Sequence, residues 1–347
     1  RVGGGSSKGT ETVNVQANTA GTSSDGSTED ASASADSATS DSSGDSSTDA
    51  VVMPVKGSTA GDRLSVMTPG WHEDSTGKWY QNPDGTYYIN GFAEIDGTTY
   101  SFDENGYMQT GWVEKGVKDY YFNEDGSYDP SKKRPMIALT FDDGPSSNTD
   151  AILDILKQYD VKATFFVTGK PEEQYKEMYQ RIVEEGHTLG MHSYSHKYDE
   201  IYASEEAFEE DLSRLQDFLY DTTGVWSHFY RFPGGSSNQV STVDMSELAA
   251  YMQQQDIYYL DWNVSSGDAT GKKVKAQTLV DNVLTGVGKH QTSVVLLHDA
   301  ANKNTTVEAL PAIIEEIQAM DDTVLLPVSD DMEFVQHLKL QQSTAQQ

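Results

Sequence analysis

From Met136 onward the chain alternates short, almost wholly apolar runs with longer stretches in which apolar positions recur three or four residues apart. A short apolar run reads as a buried strand, and the three-and-four spacing reads as an amphipathic helix. Seven strands are expected, at Met136 to Phe141, Ala163 to Thr168, Thr188 to Met191, Phe229 to Phe232, Ile257 to Trp262, Ser293 to His298 and Thr323 to Leu326. Helices are expected between most of them, at Thr149 to Gln158, Glu172 to Glu185, Glu205 to Tyr220, Ser246 to Gln254, Gln277 to Leu284 and Thr306 to Met320. Asp244 followed by Glu247 has the form of an acidic capping box. Strand then helix, repeated, predicts parallel strands. Seven of them fit a TIM-like barrel one strand short, with an open doubly wound sheet as the other arrangement the pattern allows.

Upstream the pattern is different. Residues 1–65 are rich in Ser, Thr, Gly, Ala and Asp with almost no large apolar side chains. Such a stretch cannot offset the entropy of ordering, so a disordered tether is expected there. Across residues 66–130 a repeat appears: Gly70-Trp71, Gly91-Phe92 and Gly111-Trp112 each lead to an aromatic cluster and then to Asp84-Gly85, Asn105-Gly106 or Asp125-Gly126. The spacing is 20 or 21 residues. Two aromatic segments around a Gly-containing turn predict a β-hairpin, and DG and NG are strong turn dipeptides. One hairpin cannot bury its rings alone, so neighbours must stack as a small solenoid. These units resemble the cell-wall-binding repeats of Gram-positive surface proteins, in the glucan- and choline-binding style. The resemblance implies that Trp71, Trp79, Tyr80, Tyr100, Trp112, Tyr120 and Tyr121 form shallow sites for choline or sugar; the plainer reading is that these rings only hold the hairpins together.

Composition narrows the function. The formal net charge is -31, which leaves no electrostatic footprint for nucleic acid and favours a neutral or cationic polymer as partner. There is no cysteine, so disulfides, thiol catalysis and thiolate metal sites are excluded, and any metal must be held by His, Asp or Glu. No apolar run reaches the ~18 residues of a membrane span. The sequence opens on Arg1 rather than Met, from which a removed signal peptide or anchor upstream is expected.

The chemistry gathers at the carboxyl ends of the expected barrel strands, where such folds carry their active sites. The first strand ends in Asp142-Asp143-Gly144-Pro145, the third runs into His192 and His196, the fourth into Arg231 and Gly234-Gly235, the fifth past Asp261 and Trp262 to Asp268, and the sixth ends at Leu296 and His298. Two His at i and i+4 point the same way where the backbone is helical, and with a carboxylate they leave positions open for water, the mark of a catalytic metal. These blocks, in this order, resemble the polysaccharide deacetylase family, carbohydrate esterase family 4, over about Pro135 to Leu338. Its TFDDGP, H-x-x-x-H, R-x-P-x-G, Trp/Asp and L-x-H motifs are matched by Thr140 to Pro145, His192 with His196, Arg231 to Gly235, Trp262 to Asp268 and Leu296 to His298.

The resemblance implies a distorted (β/α)7 TIM-like barrel over residues 131–340 and an N-deacetylase of an acetylated amino-sugar polymer. It implies that Asp143, His192 and His196 hold a divalent ion, with zinc first and cobalt, nickel or manganese as the other family metals. Asp142 would be the general base and Arg231 its partner. The backbone N–H of Gly234 would face the oxyanion, His298 would protonate the leaving amine, Asp268 or Asp261 would support that imidazole, and Leu296 would line the acetyl pocket. A bound divalent ion brings the pKa of its water towards about 7, within reach of a carboxylate base. Two departures bear on the glycan rather than the reaction: Gly234 stands where the family often has Tyr, and Ala269 where it closes its block with Trp.

Other residues read more plainly. His187 packs or caps a helix end, His228 and His290 are solvated, Tyr258 and Tyr259 pack the barrel, and Asp299 solvates a loop or touches His298. Trp262 either packs or stacks on a pyranose. With tether and repeats, the enzyme expected is monomeric, secreted or surface-held at a Gram-positive wall, with peptidoglycan N-acetylglucosamine as substrate and chitin, other N-acetylglucosamine polymers or acetylxylan as alternatives. The rival from another class is a wall adhesin carrying an inactive barrel.

Overall fold

The computed structural model describes residues 51–53, 68–271 and 273–341. They divide into two compact units that meet along the chain at Lys133 and Arg134, with the turn Gly116–Lys118 grouped with the second. Most of the expected tether lies outside the described residues. Its Val51–Met53 run does not behave as tether: it forms strand β1 and pairs antiparallel with β4, Tyr87–Ile89. Val-Val-Met is an apolar run in an otherwise polar stretch, and it covers an open strand edge.

The first unit is built of hairpins. Strands β2 (Gly70–Glu73) and β3 (Lys78–Gln81) pair antiparallel, as do β5 (Gly91–Ile95) with β6 (Thr98–Phe102) and β7 (Gly111–Lys115) with β8 (Lys118–Phe122). The Asp-Gly and Asn-Gly pairs of the repeat do not close these hairpins, as expected from the sequence, but form a second turn after each. Gly85, Gly106 and Gly126 take φ of 83°, 84° and 85°, and each donates its N–H to Asn82, Asp103 or Asn123 respectively. Hairpin closure falls to other residues: between β5 and β6 it is Asp96-Gly97, both at positive φ, as a tight two-residue turn requires. The rings then pack edge-on from repeat to repeat, with the Phe92 ring centre 4.6 Å from that of Tyr120 and 5.3 Å from that of Phe122.

The second unit is a distorted (β/α)7 barrel. Strands β9 (Met136–Asp142), β10 (Thr164–Val167), β11 (Thr188–Met191), β12 (Phe229–Tyr230) and β13 (Tyr258–Tyr259) run parallel in chain order, and β15 (Thr292–His298) joins β14 (Val264–Ser265) to the other edge of β9. β16 (Val324–Leu325) pairs with the start of β9. All seven expected strands are present, the fifth shortened to Tyr258–Tyr259; β14 is an eighth that was not expected, and β13 and β14 form the two ends of the sheet. Asn263 leads the chain onto β15: its backbone N–H donates to Val294 O at 3.2 Å, and its side chain donates to Thr292 O at 2.8 Å and accepts from Val294 N–H at 2.8 Å. One bent segment thereby reaches both edges.

Helices α1 (Thr149–Gln158), α2 (Glu173–Glu184), α4 (Glu205–Thr223), α5 (Met245–Gln254), α6 (Ala276–Val287) and α7 (Asn304–Gln318) match the expected six, and α3 (Tyr198–Ile201) is an additional short turn. In α4 the buried positions Phe208, Leu212, Leu215 and Leu219 follow the helical spacing, Ser204 caps the start by accepting from Ala207 N–H, and Gly224 ends it at φ 77°. Asp244 caps α5 through Ser246 N–H at 2.9 Å, a one-sided cap in place of the box. The core is aliphatic and aromatic between strands and helices, with Phe141, Phe165, Leu212 and Ile313 among its buried residues.

Candidate active site

β9 delivers two carboxylates that alternation along a strand would send to opposite faces. Asp143 escapes that geometry because it takes φ 81°, which swings its side chain back towards the cluster that Asp142 faces. Asp143 Oδ1 lies 3.5 Å from His192 Nε2 and 3.3 Å from His196 Nε2, while Asp142 Oδ2 lies 3.7 Å from His192 Nε2. The turn is pinned from below by Lys170, whose Nζ donates to Asp143 O at 3.0 Å and to Pro145 O. Asp299 fixes the next residues, accepting from Ser146 Oγ at 2.5 Å and Thr149 Oγ1 at 2.6 Å. It is fully buried there, so it neither solvates a loop nor bonds to His298. Its location also explains Gly144, where a Cβ would sit 2.3 Å from the Asp299 carboxylate.

The histidine pair converges without a helix. Residues 192–197 are irregular, with Ser193 at φ 70° and His196 at φ 54°. Asp211 of α4 holds this loop by accepting from Tyr194 N–H at 2.8 Å and Ser195 N–H at 3.0 Å. His192 Nδ1 meets Arg231 O at 2.6 Å, so that nitrogen donates and Nε2 presents its lone pair to Asp143 and His196. Burial pushes His192 down to about 3, which keeps the ring neutral.

Arg231 is wholly buried and spends its donors across the barrel. It bonds to Asp142 Oδ1 at 2.9 Å, Thr140 Oγ1 at 2.7 Å, Leu260 O at 3.2 Å and Asp261 O at 2.9 Å. Burial raises the Asp142 carboxyl above its ordinary range against the opposing pull of Arg231 and His298. On the other flank Asp268 accepts from His298 Nδ1 at 2.7 Å, from His298 N–H at 2.8 Å and from Thr306 Oγ1 at 2.8 Å. Burial alone would lower His298. The hydrogen bond to Asp268 and the charges of Asp142, Asp268 and Asp143 outweigh it and hold the imidazole above its ordinary value. Asp268 itself is raised by burial and lowered further by the His298 and Thr306 bonds, ending below the usual carboxyl range.

Of the two acids that sequence left open, Asp268 touches His298. Asp261 instead binds Ser236 N–H at 2.8 Å and His337 N–H at 2.7 Å, tying the C-terminal segment to the Gly234-Gly235 turn. Leu296 is buried in β15, and Trp262 is half-buried with His337 edge-on at 5.0 Å. His187 packs, accepting from Ala163 N–H, and His228 stays at the surface beside Asp330. Tyr259 belongs to the core, but Tyr258 does not pack inside: it is 40% exposed and stacks on Phe334. Among the repeat residues, Trp79 and Tyr120 are each 4% exposed and serve the module's interior, whereas Trp71 at 38% reaches the surface.

The Asp143, His192 and His196 donors fit a divalent ion. Their ligand atoms lie within 4.8 Å of one another, and Asp143 Oδ1 is buried without a hydrogen-bond partner. The separations of 3.3 and 3.5 Å match the edge of a tetrahedron whose ligands sit at about 2.0–2.2 Å from its centre. One carboxylate with two imidazoles suits a borderline metal.

Fold and cluster define a barrel with a candidate mononuclear metal centre at the carboxyl ends of its strands. Residues 129–252 match the polysaccharide deacetylase model, and residues 89–127 match the choline-binding repeat model. The catalytic domain of peptidoglycan N-acetylglucosamine deacetylase from Eubacterium rectale superposes with a TM-score of 0.57 at 41% identity, covering 60% of this chain and 94% of that one. A peptidoglycan-N-acetylglucosamine deacetylase of Bacillus cereus is 33% identical over 187 residues, 52% of this chain and 63% of the relative. The enzyme PgdA of Listeria monocytogenes, also described as a peptidoglycan-N-acetylglucosamine deacetylase, is 33% identical over 198 residues, 55% of this chain and 39% of the relative. The chain spans less than two thirds of these two curated relatives. It belongs to the polysaccharide deacetylase family.

Proposed function

We propose that the protein is a metal-dependent hydrolase that removes N-acetyl groups from an amino-sugar polymer, peptidoglycan N-acetylglucosamine in the first place. The observation that carries this reading is the meeting of the Asp143/His192/His196 cluster with two separately tuned pairs, Asp142–Arg231 and Asp268–His298. Asp143, His192 and His196 would hold a divalent ion, zinc first, which would supply Lewis acidity towards an acetamide carbonyl and make the attacking water easier to deprotonate.

The chain's own groups do the rest. Asp142 takes the proton of the attacking water, and Arg231 aims it and pulls its pKa down against the upward push of burial. His298, kept protonated by Asp268, gives a proton to the amine as the C–N bond breaks. The N–H of Gly234 faces the developing oxyanion, and Leu296 shapes the wall for the acetyl methyl. Acetate and a free amine on the polymer are the products.

Residues 131–340 form the catalytic domain in this reading, residues 66–130 the wall-binding module and residues 1–65 a tether. Trp71, Lys78, Tyr100 and Met108 line one shallow pocket of the module, which supports a glycan- or choline-holding role and association with the cell wall. The test is mass spectrometry of products from peptidoglycan, chitin oligomers and acetylxylan side by side. Acetyl loss from the N-acetylglucosamine substrates that stops with chelator and returns with zinc is expected. Loss from acetylxylan alone overturns the substrate, and a protein that binds no divalent ion overturns the site.

A further inference from the structure

The turn that carries the Gly234 N–H is enclosed by two aromatic rings, and neither glycine tolerates a side chain. Gly234 and Gly235 take φ of 79° and 84°. A Cβ on Gly235 would lie 3.0 Å from Trp262, and one on Gly234 would lie 3.1 Å from Cε1 and 3.4 Å from the hydroxyl of Tyr198. Sequence reading passed over Tyr198, which opens the short helix α3 and arrives at the site only through folding. Its ring also stands edge-on to His196 at 5.6 Å. Tyr198 therefore touches both the metal cluster and the Gly234-Gly235 turn.

The position is held firmly. Tyr202, one turn on, donates its hydroxyl to Pro233 O at 2.7 Å, which clamps α3 to the turn that Tyr198 covers. Yet the Tyr198 hydroxyl has no hydrogen-bond partner among the described residues, and its side chain is only half-buried. The ring packs on the barrel core and leaves the hydroxyl to the cleft side. A half-buried phenol with an unspent donor at the lip of a cleft suits a ligand with an apolar face and a rim of hydroxyls, which describes a pyranose.

We propose that Tyr198 is a substrate-contacting residue: its ring walls the sugar that carries the reacting acetamide, and its hydroxyl bonds to a hydroxyl of that sugar or its neighbour. The inference rests on the N-deacetylase reading. Steady-state kinetics of the full chain on an N-acetylglucosamine pentamer, with metal analysis of each variant, test it. Tyr198→Phe keeps the ring and is expected to raise KM about fivefold, the worth of one ordinary hydrogen bond, with kcat within about twofold and zinc content unchanged. Tyr198→Ala raises KM further. An unchanged KM in both variants overturns the contact, and so does a fall in zinc content that parallels the loss of activity, since Tyr198 would then act by supporting His196. A wild-type protein that releases no acetate from the pentamer overturns the parent reading instead, and shows this before any variant is made.

Discussion

Both units bury apolar side chains, but only the barrel also buries charge among the described residues. In the barrel, Asp142, Arg231, Asp261, Asp268 and Asp299 are all at or below 9% exposure. In the hairpin unit the hidden side chains include Trp79, Tyr87, Phe92, Phe102 and Phe122, and no charged side chain is buried among its described residues. Reach differs as well. Asp142 and Arg231 are 89 residues apart in the chain and Ser146 and Asp299 are 153 apart, whereas the bond from Tyr107 to Asp74 spans 33. Buried charge demands partners placed by the whole fold, because an ion left unpaired in the interior costs far more than a lost contact. Stacked rings ask only for the next repeat. The barrel should therefore fail as one body, and the hairpins should fail locally.

Variants can break that contrast, and the largest effect is expected at Asp142. Asp142→Asn should cost roughly 10²–10⁴ in deacetylation rate while metal content and module binding persist; a full rate would remove Asp142 as the base. Arg231→Met strands the buried Asp142 carboxylate and frees several acceptors. It should destabilise the barrel by about 3–5 kcal/mol in denaturant titration without moving an unfolding step of the hairpins, and a shared shift would show that the units are coupled. A smaller loss is expected from Asp268→Asn. His298 is held high by its bond to Asp268 and by neighbouring carboxylates, so removing that charge lowers its pKa. The protonated acid is then lost at lower pH, and the alkaline limb of the pH–rate profile should move acidward; an unmoved limb would separate His298 from that limb. Gly106→Ala forces an L side chain into φ 84° with a Cβ 2.9 Å from the Tyr87 ring. A cost of about 1–2 kcal/mol confined to the hairpin unit is expected, with turnover of soluble oligosaccharide unaltered.

Sequence legibility follows the same division of reach. Apolar runs announced the barrel strands because those strands are buried on both faces, and the turn glycines announced the repeat because their spacing is constant. Strand β14 was hidden, since it is only two residues long and Asn263 anchors its start through a side chain, where a pattern of apolar residues has nothing to report. Asp143, His192, His196 and His298 stood at strand ends and could be marked there. The family resemblance leans to Asp268 over Asp261, and the 2.7 Å bond from Asp268 to His298 is what tells the two carboxylates apart. Lys170, Asp211, Thr306 and Tyr198 gave no signal, because each acts on a segment that only folding brings near. The Asp-Gly and Asn-Gly pairs were legible as turns but not as to which strands they join: Asp84-Gly85 links β3 to β4, and β2 with β3 closes elsewhere.

The backward swing of Asp143 restricts what chemistry can occupy that corner of the cluster. A left-handed backbone is open to Asp and Asn but strained for branched or bulky residues. Lengthening the donor to Glu would alter its reach and strain the bend together, so the position is not retuned by a simple exchange of one carboxylate for the other. Asp143→Asn is the exception: it deletes a charge and keeps the bend, separating the electrical contribution of this position from its architecture.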